Sequence, residues 1–204
     1  MGPSELVRLK QRLRREALAR RDRHPDRDAA SRTICAKLAA LPQYSAAKVV
    51  MFYVHFRSEV QTGALLAESL RSGKQVVVPY CQPDRLGLFR LRDLEELAPG
   101  TLGIPEPKPA LRGLRHRLAT PAELDLIVVP GVAFDRRGTR LGHGRGYYDK
   151  LLAQVRPDAL LAGVAFQCQI FPEIPTAPHD VPMDLVITER AIYHGQCRSA
   201  GRAP

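Results

Sequence analysis

The chain has 204 residues, 45% apolar and 25% charged, with 31 Lys and Arg against 21 Asp and Glu for a net charge of +10. That length and balance exclude a disordered or fibrous chain and describe a single domain able to bury a core without disulfides or metals. The positive surplus favours anionic partners, among them nucleotides, phosphorylated or polycarboxylate substrates and nucleic acid.

Residues 4–21 set Leu6, Leu9, Leu13 and Ala17 at helical spacing among Lys10, Arg12, Arg14, Arg15, Arg20 and Arg21, with Ser4 as a candidate N-cap, which predicts a basic amphipathic helix. The arginines suggest a transit peptide, but Glu5, Glu16 and Asp22 interrupt them, and Leu6 breaks the myristoylation pattern that Met1-Gly2 opens. A second helix is expected from Ser31 to just before Pro42, and "KVVMFYV" (48–54) reads as a buried strand. Helix 61–72, strand 74–79, strand 86–91 and a short helix at 93–97 follow.

After the proline-rich connection "GIPEPKP" (103–109) come strand 125–130, a glycine loop, helix 147–155, and strands 160–166 and 184–188. Apolar strands alternating with helices predict an α/β fold, a single compact three-layer domain whose largely parallel or mixed sheet is covered by helices on both faces. The domain is expected over residues 1–190, with 191–204 a loose tail. Cys35, Cys81, Cys168 and Cys197 form no Cys-x-x-Cys pair, so neither a zinc site nor a disulfide framework is expected and a reducing compartment fits. No apolar run reaches the roughly 18 residues of a membrane span. A cytoplasmic monomer without membrane contact is expected.

Ligands of such folds bind outside the carboxyl ends of the strands, which directs attention to the loops after Val54, Pro130 and Phe166. In "RLGHGRGYYDK" (140–150), Gly142, Gly144 and Gly146 alternate with His143 and Arg145 and run into Tyr147, Tyr148 and Asp149. Alternate glycines let successive N–H groups converge on one anion, Arg140 and Arg145 add fixed charge, and Asp149 is placed to meet a phosphate-bound metal. The spacing matches neither the P-loop nor the dinucleotide fingerprint. Two readings stay open from spacing alone: an anion cradle, or a surface turn with solvated arginines.

The longer string "VVPGVAFDRRGTRLGHGRGYYDKLL" (128–152) resembles the 5-formyltetrahydrofolate cyclo-ligases, also called methenyltetrahydrofolate synthetases. Further matches follow in order: Lys10 and Arg14, Glu59, "GIPEP" (103–107), "GVAFQCQ" (163–169) and "PHDVPMDLVITE" (178–189). The resemblance spans residues 6 to 189. It implies a three-layer α/β fold and an ATP- and Mg²⁺-dependent closure of 5-formyltetrahydrofolate, with one glutamate or a polyglutamate tail, to 5,10-methenyltetrahydrofolate with release of ADP and phosphate. Phosphorylation of the formyl oxygen and attack by N10 would need alignment and cations more than an enzyme nucleophile.

Carried over by residue, the resemblance implies that Lys10 and Arg14 contact the nucleotide phosphates. Arg140, Leu141, Gly142, His143, Gly144, Arg145, Gly146, Tyr147 and Tyr148 would wrap ATP. Residues 143–147, with Val54 and Glu59, would touch the folate, the Glu59 carboxylate pairing with the N–H edge of the pterin. Arg145 and Tyr148 are the catalytic candidates, Arg145 for the moving phosphoryl group, and Asp149 and Asp180 are the magnesium candidates. Bland alternatives stand beside these: a solvated basic face for Lys10 and Arg14, a surface acid paired with Arg57 for Glu59, a structural role for Asp184, a capping or packed loop role for His179, and an inert thiol at Cys168. One of the two tyrosines is expected in the core, since neighbours on a helix point about 100° apart.

His143, Gln61 and Gly63 depart from the commoner family pattern. A histidine titrating near pH 6.5 in the loop predicts tighter nucleotide binding below that pH, which the ATP KM of His143→Gln across neutral pH would test. Two other readings remain: a related α/β enzyme acting on another phosphorylated or acyl substrate, and a basic RNA-binding protein, for which no RNA-recognition signature is present.

Overall fold

The computed structural model describes residues 3–196. Helices α1 (Pro3–Asp22), α2 (Arg27–Ala39) and α3 (Pro42–Ala46) precede β1 (Val49–Met51), α4 (Gly63–Arg71), β2 (Gln75–Cys81) and β3 (Leu86–Leu91). Strands β4 (Leu97–Pro99) and β5 (Pro105–Pro107) form a small antiparallel ribbon. The second half runs β6 (Leu126–Val129), β7 (Ala133–Asp135), β8 (Arg140–Leu141), α5 (Tyr147–Leu152), β9 (Leu160–Val164), β10 (Ile170–Phe171), β11 (Leu185–Ile187) and β12 (Ile192–His194).

The main sheet has seven strands in the order β12-β11-β9-β6-β1-β2-β3. Its five inner strands are parallel, and the two edges, β3 and β12, are antiparallel. Because successive side chains of a strand point to opposite faces, each strand feeds two cores. Val50, Val76, Val78, Leu126 and Val128 pack against Ile34 and Leu38 of α2 and Leu65 and Leu66 of α4. Met51, Val77, Ile127, Val129 and Leu161 face the other way, against Leu151 and Leu152 of α5. Burial on both faces explains why these strands read as unbroken apolar runs, and the expected three-layer α/β fold is observed.

Helix α1 stands apart from both layers. Its Leu13 and Ala17 pack on Ala133, Leu141 and Phe171 of a separate three-stranded sheet, β10-β7-β8. The buried Asp135 organises this unit by accepting hydrogen bonds from the N–H groups of Arg137, Thr139 and Ile174 at 2.9, 3.0 and 3.2 Å. Gly138 makes the turn between β7 and β8 with φ of 89°, where an added Cβ would lie 2.3 Å from the Met183 carbonyl oxygen.

Three expectations need correction. Helix α2 starts at Arg27 rather than Ser31, because Asp26 caps it by accepting the Ala29 N–H at 2.9 Å. Residues 133–141, expected as open loop, hold two short strands, β7 and β8, joined by a turn. The expected tail from residue 191 begins instead with an edge strand, β12, which pairs with β11, and Gly195 and Gln196 donate to the carbonyls of Asp184 and Arg137 at 2.8 and 3.0 Å. Residues 197–204, including Cys197, lie outside the described residues. Among the described residues no helix is long and apolar enough to cross a membrane.

Candidate active site

The winding of the sheet reverses between β1 and β6: β2 follows on one side of β1, and β9 and β11 follow on the far side of β6. Loops leaving two such strands part in opposite directions and open a crevice at their carboxyl ends. A cavity of about 1210 Å³ lies there, with Tyr53 and Val54 beyond β1 and Pro130 and Gly131 beyond β6 in its wall. Helix α1 closes one side and the glycine loop 142–146 another. All the candidate residues, Lys10, Arg14, Val54, Glu59, Arg140 through Asp149 and Asp180, border this one cavity.

The two candidate cations of α1 are tied to different walls. Lys10 Nζ donates to Asp180 Oδ2 at 2.6 Å, both side chains being 14% exposed. Arg14 Nε donates to the Gly142 carbonyl at 2.8 Å. Burial lowers the Arg14 guanidinium from its ordinary value and nearby Asp180 opposes the shift. One turn of helix thus connects the glycine loop to the segment bearing Asp180, and a merely solvated face is excluded for both residues. Asp180 also accepts the Ala177 N–H at 2.8 Å, while the exposed His179 stands 3.7 Å away, neither packed nor capping.

The loop itself needs glycine at two points: Gly144 and Gly146 have φ of 99° and 68°, and Gly146 hands the chain into α5. Arg145 is exposed between them, and no hydrogen bond or ion pair among the described residues engages its guanidinium. Arg140 is different. Its side chain is only 4% exposed, Nη2 donates to Asp149 Oδ1 at 2.7 Å, and the guanidinium lies 5.5 Å from the Tyr148 ring. It is placed to hold Asp149 more than to meet a ligand directly. Tyr148 joins both main cores, and burial raises its phenol well above the ordinary value, reinforced by Glu59. It is therefore the core tyrosine of the pair and keeps its proton. Tyr147 turns outward, its hydroxyl donating to the Pro83 carbonyl at 3.3 Å.

Beyond β1, Glu59 folds back on its own turn, accepting the Phe56 N–H at 3.0 Å, and faces His143 at 3.8 Å. Arg57 instead lies over the Phe56 ring, so the surface pair of Glu59 with Arg57 does not occur. Gln61 points away from the cavity to Asp28, 2.8 Å from Nε2. Asp184 accepts the Leu161 N–H at 2.7 Å, a structural link between strands, and burial raises the Cys168 thiol, as expected of an inert one. No group of three or more His, Cys, Asp or Glu among the described residues is placed to hold a metal by itself.

Several residues in or behind the cavity wall escaped the sequence reading. Arg21, 4% exposed, donates from Nε to Ser58 Oγ at 3.0 Å, and Glu106 of "GIPEP" is buried between Arg112 Nη2 and the Cys81 N–H, both at 3.1 Å. Gln169 of "GVAFQCQ" ties the loops after β6 and β9 together: its Nε2 donates to the carbonyls of Gly131 and Val132 at 3.1 and 2.8 Å, and its Oε1 accepts the Phe166 N–H at 3.0 Å. The motif strings held the signal for the last two; nothing in the sequence marked Arg21.

Comparison with known proteins agrees with the geometry. The model of the 5-formyltetrahydrofolate cyclo-ligase family matches residues 7–189. The 5-formyltetrahydrofolate cyclo-ligase of Mus musculus is 33% identical over 192 residues, spanning 89% of this chain and 90% of its own. A probable 5-formyltetrahydrofolate cyclo-ligase of Schizosaccharomyces pombe is 31% identical over 179 residues, 81% of this chain and 86% of its own. Among solved structures, the 5,10-methenyltetrahydrofolate synthetase of Aquifex aeolicus superposes with a TM-score of 0.79 at 33% identity, covering 96% of each chain. The fold is shared as well with the Mycoplasma pneumoniae synthetase, TM-score 0.70 at 22% identity.

Proposed function

The chain belongs to the 5-formyltetrahydrofolate cyclo-ligase family, and from that premise we propose that it closes 5-formyltetrahydrofolate to 5,10-methenyltetrahydrofolate using ATP and Mg²⁺. The observation that carries this reading is the convergence of the glycine loop, Lys10, Arg14, Asp149, Asp180 and Glu59 on one cavity at the switch point of the sheet.

The formyl oxygen is a poor leaving group. Transfer of the γ-phosphoryl group to it, with ADP departing, leaves an iminium phosphate; N10 then bonds to the formyl carbon, giving up its proton to solvent or to the departing phosphate, and the carbon–oxygen bond breaks to release phosphate. Such a reaction calls for alignment and fixed positive charge. Arg145, exposed and without an ion pair or side-chain hydrogen bond among the described residues, is the group for the migrating phosphoryl charge, and Lys10 and Arg14 supply the remaining cations. Tyr148, held protonated by burial, serves as a hydrogen-bond donor rather than a base. Val54 and Glu59 form the folate side.

Mg²⁺ suits this wall. The ion is held through one or two carboxylates, with waters and substrate phosphate completing its shell. Asp149 and Asp180 each have one carboxylate oxygen engaged by a cation, Oδ1 by Arg140 and Oδ2 by Lys10, which fixes the carboxylate and leaves its second oxygen as a ligand. When bound, the metal would neutralise charge on the phosphates.

The test is the near-ultraviolet absorbance of the methenyl product after mixing protein, 5-formyltetrahydrofolate and Mg²⁺ with or without ATP. ATP-dependent product is expected, falling roughly 100-fold in Arg145→Met, the scale of losing one charge-stabilising contact. Folded wild-type protein that forms no product would overturn the reading.

A further inference from the structure

Two non-glycine residues among those described have a positive φ, Arg57 at 54° and Leu102 at 59°, and both border the cavity. The left-handed region is strained for a residue with a Cβ, and such strain persists where its surroundings over-determine it, often at a ligand site. The turn carrying Arg57 is held from several sides. Glu59 N–H donates to the Phe56 carbonyl at 3.3 Å, Phe56 N–H to the Glu59 carboxylate at 3.0 Å, and the Ser58 hydroxyl to Asp22 Oδ1 at 2.5 Å, while Arg21 Nε donates to Ser58 Oγ. This bracing fixes a direction for Arg57, whose guanidinium lies over the Phe56 ring at 4.8 Å and is exposed.

The other cations of the cavity have work inside the fold. Lys10 pairs with Asp180 and Arg140 with Asp149; Arg14 donates to Gly142, Arg21 to Ser58 and Arg27 to the Asp22 carbonyl. Among the described residues only Arg57 and Arg145 of the cavity's cations make no ion pair or hydrogen bond through the side chain. Arg145 sits on the glycine loop. Arg57 sits on the turn of Glu59, which thus offers a half-buried acceptor bordering the cavity, and beside it an exposed cation lying over the Phe56 ring. The acid beside this turn, Asp22, is already engaged by Ser58.

A folate carries a complement to each of these groups, having an N–H edge on the pterin, an aromatic ring in the middle and two carboxylates on its glutamate. We propose that Arg57 is a specificity residue that binds the glutamate carboxylates of the substrate at the cavity mouth, the aminobenzoyl ring lying along Phe56. This assignment rests on the folate reading above and adds the polarity of the bound substrate: pterin inward, glutamate outward.

The experiment compares 5-formyltetrahydrofolate with its diamide, in which both glutamate carboxylates are amides, on the wild type and Arg57→Asn. Asparagine removes the cation and tolerates the left-handed turn, so an unchanged or higher Tm is expected. The wild type should bind the diacid about tenfold more tightly than the diamide, by calorimetry and by KM, the scale of one charged hydrogen bond. Arg57→Asn should bind the two about equally, with its ATP KM within about twofold of wild type. A variant that keeps the full preference for the diacid would overturn the proposal, as would a rise in ATP KM matching that in folate KM, which would place Arg57 on the triphosphate. Absence of ATP-dependent turnover in the wild type would instead defeat the proposed function, the calorimetric ratio still deciding the role of Arg57.

Discussion

Replacing Arg140 with leucine removes the cation from a pair that is shielded on one side more than the other. The Arg140 side chain is 4% exposed and that of Asp149 20%, with 2.7 Å between Nη2 and Oδ1. Removing one member of a fully buried pair costs about 3 to 5 kcal/mol, because the other is left charged in a low dielectric. Asp149 borders the open cavity and regains some hydration, which reduces the expected loss to about 2 kcal/mol. For a chain of this size that corresponds to a Tm about 4 to 8 °C lower. The double variant Arg140→Leu with Asp149→Leu strands no charge, so it should lose less than the sum of the single variants by about 1 to 2 kcal/mol. Urea titrations of the four proteins at neutral pH measure the difference. Single losses that add to within about 0.5 kcal/mol would refute the claim that Arg140 exists to hold Asp149.

Three further outcomes are expected. Burial lowers the His55 imidazole from its ordinary value against the pull of Glu59, and its Nδ1 has no hydrogen-bond partner among the described residues. The unfolded chain therefore takes up this proton first as pH falls, so stability from the neutral ring is complete above about pH 6.5 and is lost as pH drops through the lower folded value; wild type should lose more stability on acidification than His55→Gln, and equal losses would contradict this. Gln169→Leu leaves two buried carbonyls and one N–H without their partner, a destabilisation of about 3 kcal/mol that chemical denaturation can check, with a loss under about 1 kcal/mol counting against the role. Lys10→Met frees Asp180 and removes a cation proposed for the nucleotide phosphates, so the ATP KM should rise about tenfold and the folate KM much less; steady-state kinetics showing the reverse would move Lys10 to the folate side.

Much of the architecture was legible because burial on both faces of the parallel strands leaves unbroken apolar runs such as residues 126–129. The strands of the small β10-β7-β8 sheet were not. They are two or three residues long, too short for a period to register, and depend on Asp135, whose three backbone bonds come from residues up to 39 positions away. β12 was missed for a related reason: an antiparallel edge strand of three residues buries little and carries no run.

At the site, the glycine loop and the two aspartates stood out by residue type and spacing. The partnerships that orient them, Arg140 with Asp149 and Lys10 with Asp180, join residues 9 and 170 positions apart, and only the first lies within reach of local pattern. Arg57 and Arg21 looked like two more arginines in a basic chain. Their distinction lies in a backbone angle and in burial, neither of which composition records.

The central claim is that this cavity phosphorylates the formyl oxygen of a folate, and the fate of that oxygen tests it most directly. With a heavy-oxygen label in the formyl group of 5-formyltetrahydrofolate, the label should appear in the inorganic phosphate released with ATP and Mg²⁺, one labelled oxygen per methenyl product formed. Methenyl product accompanied by unlabelled phosphate, with the label lost to water, would contradict the account.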